Sequence, residues 1–98
     1  MSVQFIYDRR LGIELPLFEQ SWDALDYKIK DVTLKKWEEI RGTIPDRVKE
    51  FEEKIRIVHL QLSDEEDFET CCRLNEEMAE LASIINDLWI WFRQSPAI

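Results

Sequence analysis

Cys71, Leu74, Met78, Leu81, Ile85, Leu88 and Phe92 recur at unbroken 3-4 spacing in the last third of this chain. Only an α-helix carries residues so spaced on one face, so this seam constrains the fold more than any other feature. Phe68, Ala82 and Trp89 widen the seam into the broad face of a helix that packs inside a bundle. Ser63-Asp64-Glu65-Glu66 has the form of a capping box, with acids suited to the positive end of the helix dipole. The spacing predicts a helix over 64–94, stopped by Pro96.

The rest of the chain is also read as helical, because 98 residues hold only two Gly and three Pro while 35% are charged. Ile44, Val48, Phe51, Ile55, Val58 and Leu62 repeat at 4-3-4-3-4. Thr43-Ile44-Pro45-Asp46 supplies an N-cap Thr and an early Pro, which sets this helix at 44–62. Phe18, Trp22, Leu25, Ile29 and Val32 form an earlier stripe that skips to Trp37 and Ile40. That stripe predicts a first helix over 18–42, ended by Gly42 with Lys35, Lys36 and Arg41 near its negative end.

Residues 1–17 alternate differently. Val3, Phe5 and Tyr7 alternate with Gln4 and Asp8, Ile13 and Leu15 alternate with Glu14 and Pro16, and Asp8-Arg9-Arg10-Leu11-Gly12 between them is a turn candidate. Short helix connections make sequential neighbours antiparallel. The expected architecture is all-α: one domain over 1–98, an up-down-up three-helix bundle with a short extended arm, read as a β-hairpin. In a variant, the second and third helices form a hairpin that dimerises into a four-helix bundle.

Charge narrows the partners. Thirteen Lys and Arg face 21 Asp and Glu, a net charge of −8. A chain this acidic is a poor binder of nucleic acid or of anionic membrane surfaces. The acidity is uneven: residues 1–62 carry 12 acids against 11 bases, and residues 63–98 carry nine acids against Arg73 and Arg93. The first ten residues lack the apolar stretch of a signal peptide, and no run is long enough to span a bilayer. Cys71 and Cys72, adjacent in a helix and poorly placed to bond each other, suit a reducing cytoplasm. One His and two adjacent Cys cannot form a zinc finger.

Few residues promise catalysis. Glu76-Glu77-Met78-Ala79-Glu80 resembles Glu-Glu-x-x-Glu, the first half of the motif of MazG-like pyrophosphohydrolases. That resemblance implies magnesium held against nucleotide phosphates by Glu76, Glu77 and Glu80. The family also needs a Glu-x-x-Asp on a following helix, and after Glu80 the chain offers only Asp87, in the same helix. A di-iron carboxylate bundle needs Glu-x-x-His pairs, and Arg56 stands three before His59. His59, the one imidazole, lies a step off its apolar stripe with no orienting partner evident. Cys71 sits on the apolar seam with Cys72 just after it, so core packing explains them better than reactivity.

One apolar anomaly remains. Leu88-Trp89-Ile90-Trp91-Phe92 is hydrophobic on every side of its helix, so something must cover it. The arm, through Phe5 and Tyr7, or a second polypeptide would serve. The expected function is therefore a non-enzymatic protein–protein interaction module without cofactor, homodimeric or bound to another protein, a basic one in particular. Its expected contact residues are Trp89, Ile90, Trp91 and Phe92, with the acidic face of Glu65, Glu66, Glu69, Glu76, Glu77 and Glu80. The alternative is a magnesium-dependent nucleotide hydrolase.

Overall fold

The apolar repeat runs through Gly42 and Pro45 without losing phase: Trp37, Ile40, Ile44, Val48, Phe51, Ile55, Val58 and Leu62. The computed structural model, which describes residues 3–94, follows that repeat and ignores the punctuation. A single helix, α1, spans Tyr27–Asp64 with Pro45 inside it. A second, α2, spans Phe68–Arg93. Ahead of them stand two antiparallel strands, β1 (Val3–Asp8) and β2 (Ile13–Phe18), and a 3-10 turn over Trp22–Ala24. The expected all-α three-helix bundle is not formed: α1 and α2 pack on each other beside a two-stranded hairpin, with no third helix among the described residues.

Packing explains why α1 continues where a break was expected. Ile44 and Val48 are buried under Leu11 and Ile13 of the hairpin and against Ile84 and Leu88 of α2. Uncoiling at Gly42 or Pro45 would pull those side chains from the core, a larger loss than one missing helix hydrogen bond. Thr43, expected as an N-cap, instead donates its hydroxyl to the Ile40 carbonyl at 2.6 Å.

The expected helix over 18–42 also fails at its start. Phe18 belongs to β2 and packs edge-on against Trp22 of the 3-10 turn. Leu25 is buried outside any helix, and α1 begins only after Asp26. Within α1, Val32 stands exposed while Thr33 and Trp37 are buried, so the buried stripe begins one residue later than the early apolar run suggests. The boundary near 63 moves as well. Ser63 and Asp64 finish α1, with the Ser63 hydroxyl donating to the His59 carbonyl. The cap of α2 is Asp67, which accepts from the Thr70 N–H at 2.9 Å and from its hydroxyl at 2.8 Å. Pro96, the expected stop, lies outside the described residues.

The hairpin closes through its turn. Gly12 has φ of +74°, its N–H donates to the Asp8 carbonyl, and Asp8 Oδ1 accepts from the Leu11 N–H. Gly takes this left-handed conformation without the side-chain penalty, as a four-residue hairpin loop requires. The register pairs Asp8 with Ile13, Ile6 with Leu15 and Phe5 with Pro16.

The result is a rod of 59 × 21 × 19 Å with a radius of gyration of 17.8 Å. A compact chain of this length would have a radius of about 13 Å. The hairpin, the middle of α1 and the C-terminal half of α2 share one core: Leu11, Ile13, Ile44, Val48, Phe51, Ile84 and Leu88. Away from the hairpin the core thins, and between residues 52 and 80 only Val58 and Leu74 are buried.

Candidate functional site

Two surfaces were expected to work, one apolar and one acidic, and α2 carries most of both. Successive helix residues are rotated by about 100°. On that wheel Glu69, Glu76, Glu77, Glu80 and Asp87 fall within an arc of about 100°. Cys71, Met78, Ala82, Ile85, Trp89 and Phe92 fall on the opposite side, in an arc that holds no acid. The sequence thus builds a helix with a charged side, a buried side against α1 and an uncharged flank.

The acidic arc is partly occupied by the chain itself. Arg10, at the hairpin tip, donates to Asp87 at 2.6 Å, to Glu80 at 2.9 Å and to the Ser83 hydroxyl at 2.7 Å. The hydrogen bonds that Arg10 donates to Asp87, and next to Glu80, raise its pKa further, so its charge is fixed at any ordinary pH. Glu69, Glu76 and Glu77 remain exposed on the same side, and Glu66 is exposed in the connection before α2. Glu65 is half-buried, and its carboxylate accepts from the Asp67 N–H. The structure therefore gathers Glu69, Glu76, Glu77 and Glu80 on one side of α2, and leaves Glu65 and Glu66 in the turn.

The apolar end is divided differently from the expectation. Trp91 turns towards the hairpin side, packs edge-on against Trp37 at 5.9 Å between ring centres, and borders a cleft with Ile6, Leu15 and Leu17. Trp37 is itself buried, its indole N–H donating to the Gln94 carbonyl at 3.0 Å. Cover for Trp91 thus comes from Trp37 and the hairpin. Tyr7 borders the same cleft, whereas Phe5 lies under the Lys36 ammonium at 4.5 Å. Ile90 is 42% exposed. Trp89 and Phe92 lie on the uncharged flank, edge-to-face at 5.3 Å, with the Arg41 guanidinium 5.6 Å from the Phe92 ring. They line a shallow cavity of about 370 Å³ with Asn86 and Arg93.

No group of three or more His, Cys, Asp or Glu side chains able to hold a metal occurs among the described residues. Glu80, the last carboxylate of the Glu-Glu-x-x-Glu segment, is already paired with Arg10. His59 is exposed on α1 with no side-chain hydrogen bond to orient it among the described residues. Cys71 is half-buried and Cys72 exposed, both as free thiols.

Sequence reasoning missed Arg10. It was read as part of a turn, and nothing in the order of residues showed that the turn would fold onto α2. The signal present was the clustering of Glu80, Ser83 and Asp87 on one side of the later helix, which invites a cation. No helix among the described residues is long and apolar enough to cross a membrane. Comparison with known proteins gives no relative: no family model matches the chain, nor does any curated protein or solved structure.

Proposed function

We propose that this protein is a non-enzymatic interaction module that works by protein–protein contact through α2. The observation that carries the reading is the segregation on that helix. An uncharged flank ending in Trp89 and Phe92 is left half-covered by the chain, while the acids stand on the other side. Aromatic side chains bordering an open cavity are the usual anchors of protein interfaces. The exposed acids Glu69, Glu76 and Glu77 would speed encounter with a basic protein and repel acidic ones. Free thiols at Cys71 and Cys72 fit work in the reducing cytoplasm.

A photo-crosslinking amino acid placed at Ala82, on the flank, or at Glu76, on the acidic side, tests this in producing cells. A discrete protein adduct from either position is the expected result. Absence of any adduct at both positions would remove the reading. Millimolar Mg²⁺ should leave the melting temperature unchanged. A rise that Glu77→Gln abolishes would instead favour the nucleotide hydrolase.

A further inference from the structure

We propose that the outer edge of β1 is a strand-binding site, and that its occupant is an extended segment of a basic protein in which apolar and cationic residues alternate. The site lies on the hairpin and is separate from the flank of α2.

The register of the hairpin fixes which backbone groups are free. Phe5 stands opposite Pro16. Pro16 has no N–H, so these two cannot be a pair that exchanges hydrogen bonds. The ladder bonds therefore join Gln4 to Leu17, Ile6 to Leu15 and Asp8 to Ile13. The N–H and C=O groups of Phe5 and Tyr7 point the other way, out from the far edge of β1. Among the described residues the sheet has only these two strands, so the chain does not continue the ladder there.

The two edges of the sheet are not equivalent. On the β2 edge Pro16 interrupts the outward row, α1 packs against the strand, and Lys36 of α1 is paired to Glu14 at 3.2 Å. Proline, charge and cover are the devices by which folded chains close a strand edge. β1 has none of them: Val3-Gln4-Phe5-Ile6-Tyr7 holds no Pro and no charged residue, and its register is unbroken by a bulge. In the pairs Tyr7–Glu14 and Ile6–Leu15 the β1 member is the exposed one, at 60% and 51%, and the β2 member is half-buried. These two pairs lie on opposite faces of the sheet, so β2 is the strand nearer the helices and β1 stands outside it.

A row of outward N–H and C=O groups at strand spacing is matched by another extended backbone. The two faces of the sheet select the side chains of that backbone. On the face of Ile6, the cleft shared with Leu15, Leu17 and Trp91 has a volume of about 230 Å³ and an apolar lining, which suits apolar residues. On the other face, Tyr7 borders a cavity of about 290 Å³ with Ile40, Glu14 and Glu39. Glu14 is held by Lys36, whereas Glu39 is exposed and without an ion pair among the described residues. Residues of an added strand point alternately to these faces, so apolar side chains meet the cleft and cationic ones meet Glu39. The net charge of −8 favours the same basic partner. It disfavours a second copy of the chain, whose own β1 offers no cation.

Fluorescence anisotropy of a labelled Lys-Val-Lys-Val-Lys-Val-Lys peptide, titrated with the full chain, tests the proposal. The wild type should bind it saturably. Tyr7→Pro removes an outward N–H and leaves the bonds between β1 and β2 in place, so it should weaken binding about tenfold. Tyr7→Ala keeps that N–H and should bind within about threefold of wild type. Amide hydrogen exchange gives a second readout that needs no variant. In the free chain the Phe5 and Tyr7 amides should exchange faster than that of Ile6, and saturating peptide should slow both. A wild type that fails to bind at millimolar peptide overturns the proposal, as does equal binding by Tyr7→Pro and Tyr7→Ala. Binding that leaves the Phe5 and Tyr7 amides unprotected also overturns it, and assigns the cationic peptide to the acids of α2. Protection of those amides in the chain alone, rising with its concentration, overturns it in favour of a second copy. None of these outcomes depends on the crosslinks expected from Ala82 and Glu76, so the reading of α2 is decided separately.

Discussion

The guanidinium of Arg47 occupies the space that a side chain at Gly12 would fill. It reaches there from the middle of α1, with Nε and Nη2 each 3.4 Å from the Leu11 carbonyl and Nη1 paired to Glu50 at 2.7 Å. The same side chain passes over the Phe51 ring at 5.3 Å. A tight turn and a long helix are thereby joined at one point, and the glycine is what lets them approach.

Gly12→Ala should lower stability in urea by about 1–2 kcal/mol, the cost of left-handed backbone with a Cβ. Arg47 can swing aside at its flexible end, so the backbone strain dominates. Gly42→Ala should act oppositely. Gly42 is helical with open space around a Cβ, so alanine there should add about 0.4–1 kcal/mol. If Gly42→Ala destabilises instead, α1 is broken at that residue in solution.

Leu88 is 0% exposed at the centre of the shared core. Leu88→Ala should cost about 2–5 kcal/mol in denaturant unfolding, through lost transfer energy and the cavity left behind. Met78→Ala, at a half-buried site, should cost clearly less for the chain itself.

Arg10→Ala should free the hairpin tip without melting the helices. Amide hydrogen exchange should accelerate across Val3–Asp8 and Ile13–Phe18 and change little in α1. Because the lost partners, Glu80 and Asp87, sit on partly exposed surface, the difference between variant and wild type should shrink as salt rises. Equal exchange in both proteins would mean that the apolar contacts of Leu11 and Ile13 hold the hairpin alone.

Asp67 gives the pH dependence a direction. Its hydrogen bond from the Thr70 N–H, and next that from the Thr70 hydroxyl, hold its carboxyl below the ordinary value of 3.8. A carboxyl with a depressed folded pKa contributes stability above its unfolded pKa and loses it as pH falls through the folded one. Wild type should therefore lose melting temperature below about pH 4. Asp67→Asn keeps a cap without a titrating group, so the gap between the two proteins should narrow as pH falls. A constant gap would show that Asp67 is not the titrating cap.

The helical segments were legible where one signal acted alone. The seam of α2 was readable from 71 to 92, because nothing punctuates it and its apolar residues keep one phase. The hairpin was readable from alternation on either side of Asp8-Arg9-Arg10-Leu11-Gly12. The first helix was misread from Phe18 onwards, since 4-3 spacing over Phe18, Trp22 and Leu25 occurred by chance in a strand and a turn. Arg10 on Glu80 and Asp87 was not legible, because it joins residues 70 and 77 positions apart through a fold that the local pattern does not encode.

Gly42 and Pro45 mark the boundary between the two kinds of information. By itself the sequence determined that residues 37–62 carry one helical phase, because the apolar spacing is intrinsic to the order of residues. Whether that phase became one helix or two was a matter of competing energies. Local propensity favoured a break at Gly42-Thr43 and disfavoured a proline in a helix interior. The tertiary structure decided for continuity, because Leu11 and Ile13 from the hairpin and Ile84 and Leu88 from α2 bury Ile44 and Val48 across that very point. Burial of several apolar side chains outweighs the penalty of one proline, and only the folded arrangement brings those side chains together.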